Sequence, residues 1–431
     1  MHVHRSRPSR QRRSVIKRST VVLAATALLG AAFAASPAAT SSGSNSSQPP
    51  KLVGRAVLPA ATLAEGPPSG AFVIPGPGTV RGITFPLPSQ PVEGFSSIVS
   101  GRHRGEYLAM PDNGFGSKTN STDFLIRAYY IRPHFKTASG GSGTVDVGDF
   151  ISFRDPDNII GFPIVNEGTG RRLLTGGDID PESLQRGRNG DLWVGDEFGP
   201  WILHFTARGR LLDPPFALPG GLMSPNNPFL NGQPSTQPNS RGLEAMAITP
   251  DRRYLYAALE GATVADPDQS RRYVFQFDTV HRKFTGQVLQ YRTEAVTNLV
   301  ADMWAVDNHR VVVIERDAGS GLAALFRSVY LVDLRHTDPQ GFQRKTLVVD
   351  LTAIPDPDLI SLPPIHSGDV GLGDPFRVAC ESVEAIHVIS ARRLLIGCDN
   401  NLPNAGRNPG LADDTELIVV AVPKLRGRHA A

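Results

Sequence analysis

Only two of the 431 residues are cysteines, Cys380 and Cys398, and no C-x-x-C or H-E-x-x-H pattern occurs, so neither common zinc signature is present. The G-x-S-x-G elbow of serine hydrolases is missing as well. Ser142 follows Gly140 and Gly141 but has Thr144 at +2, and Ser320 sits in Ala318-Gly319-Ser320-Gly321-Leu322. His103-Arg104-Gly105 is not the R-H-G order of histidine acid phosphatases. A nucleophilic serine survives only as a triad assembled in space, since such triads have no fixed order in sequence. His204, His309, His366 and His387 remain as acid–base candidates, although a lone strand histidine is more often structural. Long helical periodicity is absent, and no basic stripe with interleaved aromatics suggests nucleic acid binding.

The strongest apolar run is short. Residues 1–18 hold seven basic side chains and no acid, residues 19–35 are small and apolar, and Ala32-Phe33-Ala34 forms an A-x-A cleavage pattern. Together they predict an export signal over 1–35 and no stable membrane anchor. Arg12-Arg13-Ser14-Val15-Ile16-Lys17 resembles a twin-arginine signal, with an ordinary secretion signal as the alternative. Removing seven of the 44 basic residues leaves 37 against 41 acids, so the mature chain is near −4 rather than the +3 of the whole sequence. Residues 36–50 read as a Ser/Pro linker too poor in apolar groups to pack. The folded domain is expected over 51–425, secreted and monomeric.

Within that domain one unit recurs. Arg241–Ala262 reads as a strand opened by Glu244, a tight turn at Pro250-Asp251-Arg252-Arg253, and a strand ending at Glu260. Copies follow at Val92–Gly114, Asp180–Gly199, Ala301–Gly319 and Val383–Asn401, opening on Glu93, Glu182, Asp302 and Glu384. Further strand-like runs fill the gaps between copies. An all-β chain built on a repeated two-strand unit points to a β-propeller, which buries each blade between neighbours. Six blades are expected, with five or seven as alternatives, the sixth a composite of Lys51–Pro59 and Glu416–Val422 closing the ring.

In a propeller the residues opening the inner strands meet near one end of the axis. Glu93, Glu182, Glu244, Asp302 and Glu384 are expected there, joined by Asp112, Asp196-Glu197, Glu260, Glu315, Asp317 and Asp399 from the second strands. Like charges gathered at one mouth repel, and hard cations prefer oxygen ligands of this kind. Asn113, Asn400 and Asn401 add neutral oxygens. The competing reading is structural: acids at strand ends cap turns or pair with arginines, and Arg241, Arg316 and Arg407 are available. Cys380 and Cys398 read as a disulfide in an exported protein, although the hairpin register sets Cys398 opposite Val383, three residues from Cys380.

The segments Asp180–Phe205, Arg241–Ala262, Met303–Asp317 and Glu381–Ile418 resemble the phytase-like family described as having esterase-like activity. The resemblance implies a secreted metal-dependent ester hydrolase acting on small molecules, foremost a phosphomonoesterase in which calcium-bound water attacks. A carboxylic-ester or lactone hydrolase on the same mouth, and a non-catalytic binding propeller, are the alternatives. It also implies Ca2+ held by Glu182, Asp196, Glu197, Glu244, Glu260, Glu315, Asp317, Glu384 and Asp399. Glu244, Glu260 and Glu182 are the implied catalytic groups, and Arg241, Arg316, Arg407, Asn113 and Asn400 the implied substrate contacts.

Overall fold

A computed structural model describes residues 49–425. The expected export signal at 1–35, and all of the linker before residue 49, lie outside the described residues. Strands dominate, and the single short helical turn among the described residues is Gly321–Ala323.

Five blades of four antiparallel strands follow one another, the first and the fifth joined into one eight-stranded sheet through a parallel pairing of Val57 with Thr144. The first holds Ser97–Ser100, Tyr107–Met110, Arg127–His134 and Thr144–Ser152. The second holds Pro181–Arg186, Leu192–Asp196, Trp201–Phe205 and Phe216–Ala217. The third is Leu243–Ile248, Tyr254–Leu259, Arg271–Asp278 and Lys283–Arg292. The fourth is Leu299–Ala305, Arg310–Arg316, Arg327–Thr337 and Gln343–Asp350. The fifth combines Ser382–Ser390, Arg393–Asp399 and Thr415–Ala421 with Lys51–Leu58 from the other end of the chain. Each inner strand packs beside the next, and the fifth returns to the first, so the ring is closed.

The chain is therefore a β-propeller shut by its terminal strands, but the expected count of six blades is corrected to five. The last copy of the repeat has only two strands of its own. Thr415–Ala421 and Lys51–Leu58 complete that blade instead of forming another.

Local chemistry sets the hairpins. In the third blade Thr249 closes the turn through its amide to the Tyr254 carbonyl (2.8 Å) and its Oγ1 to Asp251 Oδ1 (2.5 Å). Arg252 takes a left-handed φ of 57° at the tip. Alternation then sends successive side chains to opposite neighbours. Ala245 and Ala247 pack toward the fourth blade, whereas Leu243 and Met246 pack toward the second. Apolar residues gather in five such clusters, one at each blade interface.

Two covalent or ionic fastenings hold the composite blade. Cys380 and Cys398 form a disulfide with Cα atoms 6.2 Å apart, while Val383 pairs with Cys398 as the register requires. Buried Glu416 takes Arg55 Nε on one carboxylate oxygen and Arg407 Nη2 on the other, both at 2.6 Å. Burial opposes its ionisation, but the two guanidiniums win and hold its pKa below the ordinary value.

Glu416→Ala leaves two buried guanidiniums facing each other and is expected to cost about 3–5 kcal/mol. Opening the disulfide, whose cysteines are 18 residues apart, is expected to cost about 3 kcal/mol. Denaturant titration of the variant, and of the wild type with and without reductant, measures both. Because the Glu416 pKa is depressed in the fold, its contribution is present at neutral pH and lost on acidification below about pH 4.

Candidate functional site

The site is built by one irregularity repeated around the ring. Four inner strands slip register by one residue near their entry, at Glu182, Glu244, Ala301 and Glu384. A bulged residue leaves the pleat. In the first blade Ser97 pairs with Met110, which sets Ser96 at the corresponding position. Ser96, Glu182, Glu244, Ala301 and Glu384 thus form one ring. On each second strand, two residues beyond the partner of the first regular pair, stand Asp112, Glu197, Glu260, Arg316 and Asp399, the second ring.

Eight of these ten residues line one cavity of about 260 Å³, the exceptions being Ser96 and Ala301. Asn113, Asp180, Arg241, Glu381, Ser382 and Asn401 complete much of its wall. Nine carboxyl groups face two guanidiniums. Three triads bring ligand oxygens within 4.8 Å of one another: Asp112–Asp180–Glu182, Glu182–Glu244–Glu384 and Glu197–Glu244–Glu260.

Some of this charge is compensated. Arg316 Nη2 lies 2.7 Å from Glu384 Oε1 and 3.3 Å from Glu260 Oε1, and Arg241 Nη1 lies 2.9 Å from Glu260 Oε2. Ser382 Oγ donates to Glu384 Oε1 (2.7 Å), Asn113 Nδ2 to Asp180 Oδ2 (2.8 Å) and Asn401 Nδ2 to Asp399 Oδ2 (2.6 Å). The Gly242 amide donates to Glu197 Oε1 (3.1 Å). Buried Glu244 has no hydrogen bond or ion pair among the described residues. The remaining repulsion appears as proton affinity. Burial, then the negative charge of Glu260, Glu384 and Glu197, pushes Glu244 well above its ordinary pKa. Burial and the charge of Glu244 do the same to Glu182. Glu197 is pushed up to about 8 by burial and Glu260, and Asp112 to about 7, mainly by burial. Carboxyls like these suit a divalent cation: they are oxygen donors, close together and short of positive partners.

Several expected residues sit elsewhere, for reasons of register. Asp302 is one residue past the bulge and faces away. It accepts the Met303 (2.7 Å) and Ile386 (2.8 Å) amides and stitches the fourth blade to the fifth. Glu93 is buried three residues before the ring position of its blade, with its pKa raised by burial and by Asp112. Asp196 and Glu315 precede the second ring by one residue, so alternation turns them outward. Asp196 accepts the Asp180 (2.8 Å) and Gly199 (2.7 Å) amides. Glu315 receives Tyr291 Oη (2.6 Å) and Lys345 Nζ (2.9 Å). Asp317 holds the Leu325 and Phe326 amides, and Asn400 bridges Gly94 and Asp413. Arg407 is engaged by Glu416 at the blade closure.

The histidines also lie outside the cavity. His204 stacks on Trp193 at 3.8 Å between Asp191 and Asp213, and His366 pairs with Asp414. Burial pushes His387 down to about 4 beside Trp304, and the His309 amide donates to Asp307. Asp180 and Glu381 are the lining acids that strand-end reasoning missed. Asp180 stands two residues before Glu182, and that spacing was the available signal.

Among known proteins, an uncharacterized secreted protein of Arthroderma benhamiae is 27% identical over a 209-residue alignment covering 39% of each chain. The present chain thus spans about two-fifths of that relative's length. Similar solved structures include the Dos1 propeller, at 10% identity over 80% of this chain and 72% of that one, TM-score 0.32. A GH43 β-1,3-galactosidase is 9% identical over 84% and 59%, TM-score 0.41. The family whose model is described as "Phytase-like: Esterase-like activity of phytase" matches residues 90–402, and the chain belongs to that family.

Proposed function

We propose that the chain is an exported, monomeric hydrolase of small-molecule esters, foremost phosphomonoesters, whose acidic mouth works with Ca2+. The observation that carries this reading is the pair of stacked rings, with nine carboxyls against two guanidiniums around one cavity. Family membership and the secreted relative support it.

Asp112, Asp180, Glu182, Glu197, Glu244, Glu260, Glu384 and Asp399 supply the oxygens that would hold the ion. Bound there, a divalent cation would bind substrate oxygens and neutralise the charge that develops as the ester bond breaks. Arg241, with about a third of its side chain exposed at the rim (32%), can meet an arriving anionic group with its guanidinium fork. Glu244 can carry a proton on either carboxylate oxygen, which suits it to take a proton from water or hand one to a leaving alkoxide. Glu260 spans Arg241 and Arg316 and holds both in place.

A carboxylic ester or lactone is the second reading. It is favoured by the engagement of both lining arginines with carboxylates, which leaves less positive charge for a phosphate than three free guanidiniums would.

Phosphate release from phosphomonoesters, and hydrolysis of aryl esters and lactones, with and without chelator, tests the proposal. Turnover should require Ca2+, and Glu182→Gln should weaken Ca2+ binding by at least about tenfold, as removal of an anionic ligand implies. Turnover that survives chelation would sink the metal reading. Stability supplies a second check. Carboxyls with raised pKa values bind protons more tightly in the fold than in the unfolded chain. Without a cation, stability should therefore fall as pH rises between about 5 and 8. Added Ca2+ should flatten that fall, as thermal melts across pH would show.

A further inference from the structure

The fourth blade breaks the pattern at both ring positions. Ala301 stands where three blades carry Glu, and Arg316 stands where the other four carry Asp or Glu. Arg316 is buried and reaches across to Glu384 and Glu260. These two acids belong to different triads that share Glu244, so one guanidinium engages both triads at once. Glu244, at their junction, is 3% exposed, and its side chain has no hydrogen-bond or ion-pair partner among the described residues. The third triad, Asp112–Asp180–Glu182, touches no arginine or lysine among the described residues. Its Asp180 is oriented by two donors of Asn113, the amide at 3.2 Å and Nδ2 at 2.8 Å.

We infer that Arg316 is a built-in cation that stands in for a metal ion at the two triads around Glu244 and confines divalent-cation binding to Asp112, Asp180 and Glu182. The inference rests on the cation-binding reading of the mouth and adds where the ion goes. A guanidinium cannot dissociate from its own chain and stays charged at every accessible pH. It consumes lone pairs of Glu384 and Glu260 that a hard cation would need, and its positive charge repels a second ion nearby. Asp112 accepts the neutral Gly114 amide (2.7 Å) and Asp180 the two neutral donors of Asn113, so these two and Glu182 keep their negative charge and further lone pairs for an exchangeable ion. Asn113 fixes the angle of Asp180 as an outer hydrogen-bond partner does at metal sites.

The test uses the whole chain, dialysed against chelator and titrated with Ca2+ by calorimetry, with thermal melts alongside. Wild type should bind Ca2+ at one dominant site, and Asp180→Asn should weaken that site at least about tenfold. Arg316→Gln should keep it and gain a further Ca2+ site, melting lower than wild type without Ca2+ and showing the larger rise when Ca2+ is added. If Arg316→Gln does not fold in Ca2+-free buffer, recovery of its circular dichroism on adding Ca2+ supports the inference, and failure to recover overturns it. An unchanged number and affinity of sites in Arg316→Gln, or unchanged binding in Asp180→Asn, also overturns it. Absence of Ca2+ binding by the wild type removes the cation reading itself, which is a different and separable failure.

Discussion

Mutual repulsion among carboxylates that cannot move apart is the constraint on which the site depends. Each acid is fixed to a strand whose apolar neighbours are buried against the adjacent blade, and the ring of five interfaces is closed. Opening the mouth to relieve the charge would expose that packing. The repulsion is offset instead by Arg316 and Arg241 and by a raised affinity of the carboxyls for protons. Charge compensation is thus partly built in, through the two arginines, and partly adjustable, through protons, while the positions of the charges are fixed.

The same chemistry at Glu416 resolves differently. There a single buried carboxylate faces two guanidiniums, its pKa falls rather than rises, and the result is a fastener. The two regions show how the local ratio of acids to arginines separates a site from a strut. Both are buried and both are rich in charge, yet only one has carboxyl groups short of partners.

Much of this was legible in the residues. Glu182, Glu244 and Glu384 open hairpins whose turns and alternation are plain in sequence, and all three reach the cavity. The fold class followed from the same hairpins. Blade number did not: the pairing of the two terminal segments was expected, but nothing local shows that Thr415–Ala421 also pairs with Arg393–Asp399 and so completes the last copy's blade instead of founding another. Asp302 was misassigned because a one-residue slip puts Ala301 at the ring position, and bulges leave no clear mark in the residues. Adjacent acids caused the other errors. Asp196 and Glu197 look equivalent in sequence, but a period of two sends one into the cavity and the other away from it. Glu315 beside Arg316 follows the same rule, with the arginine on the inner side.

The use of Lys51–Leu58 as the outer strand of the last blade has a consequence for assembly. That segment is made before the rest of the domain, yet its hydrogen-bonding partner Thr415–Ala421 is among the last parts of the domain to be made. Until they meet, the circle is an arc with a bare sheet edge at its end, the kind of edge that invites pairing with other chains. Completion must await nearly the whole polypeptide, so Glu384 and Asp399, carried by the last blade, are among the last of the acids to take their places at the mouth.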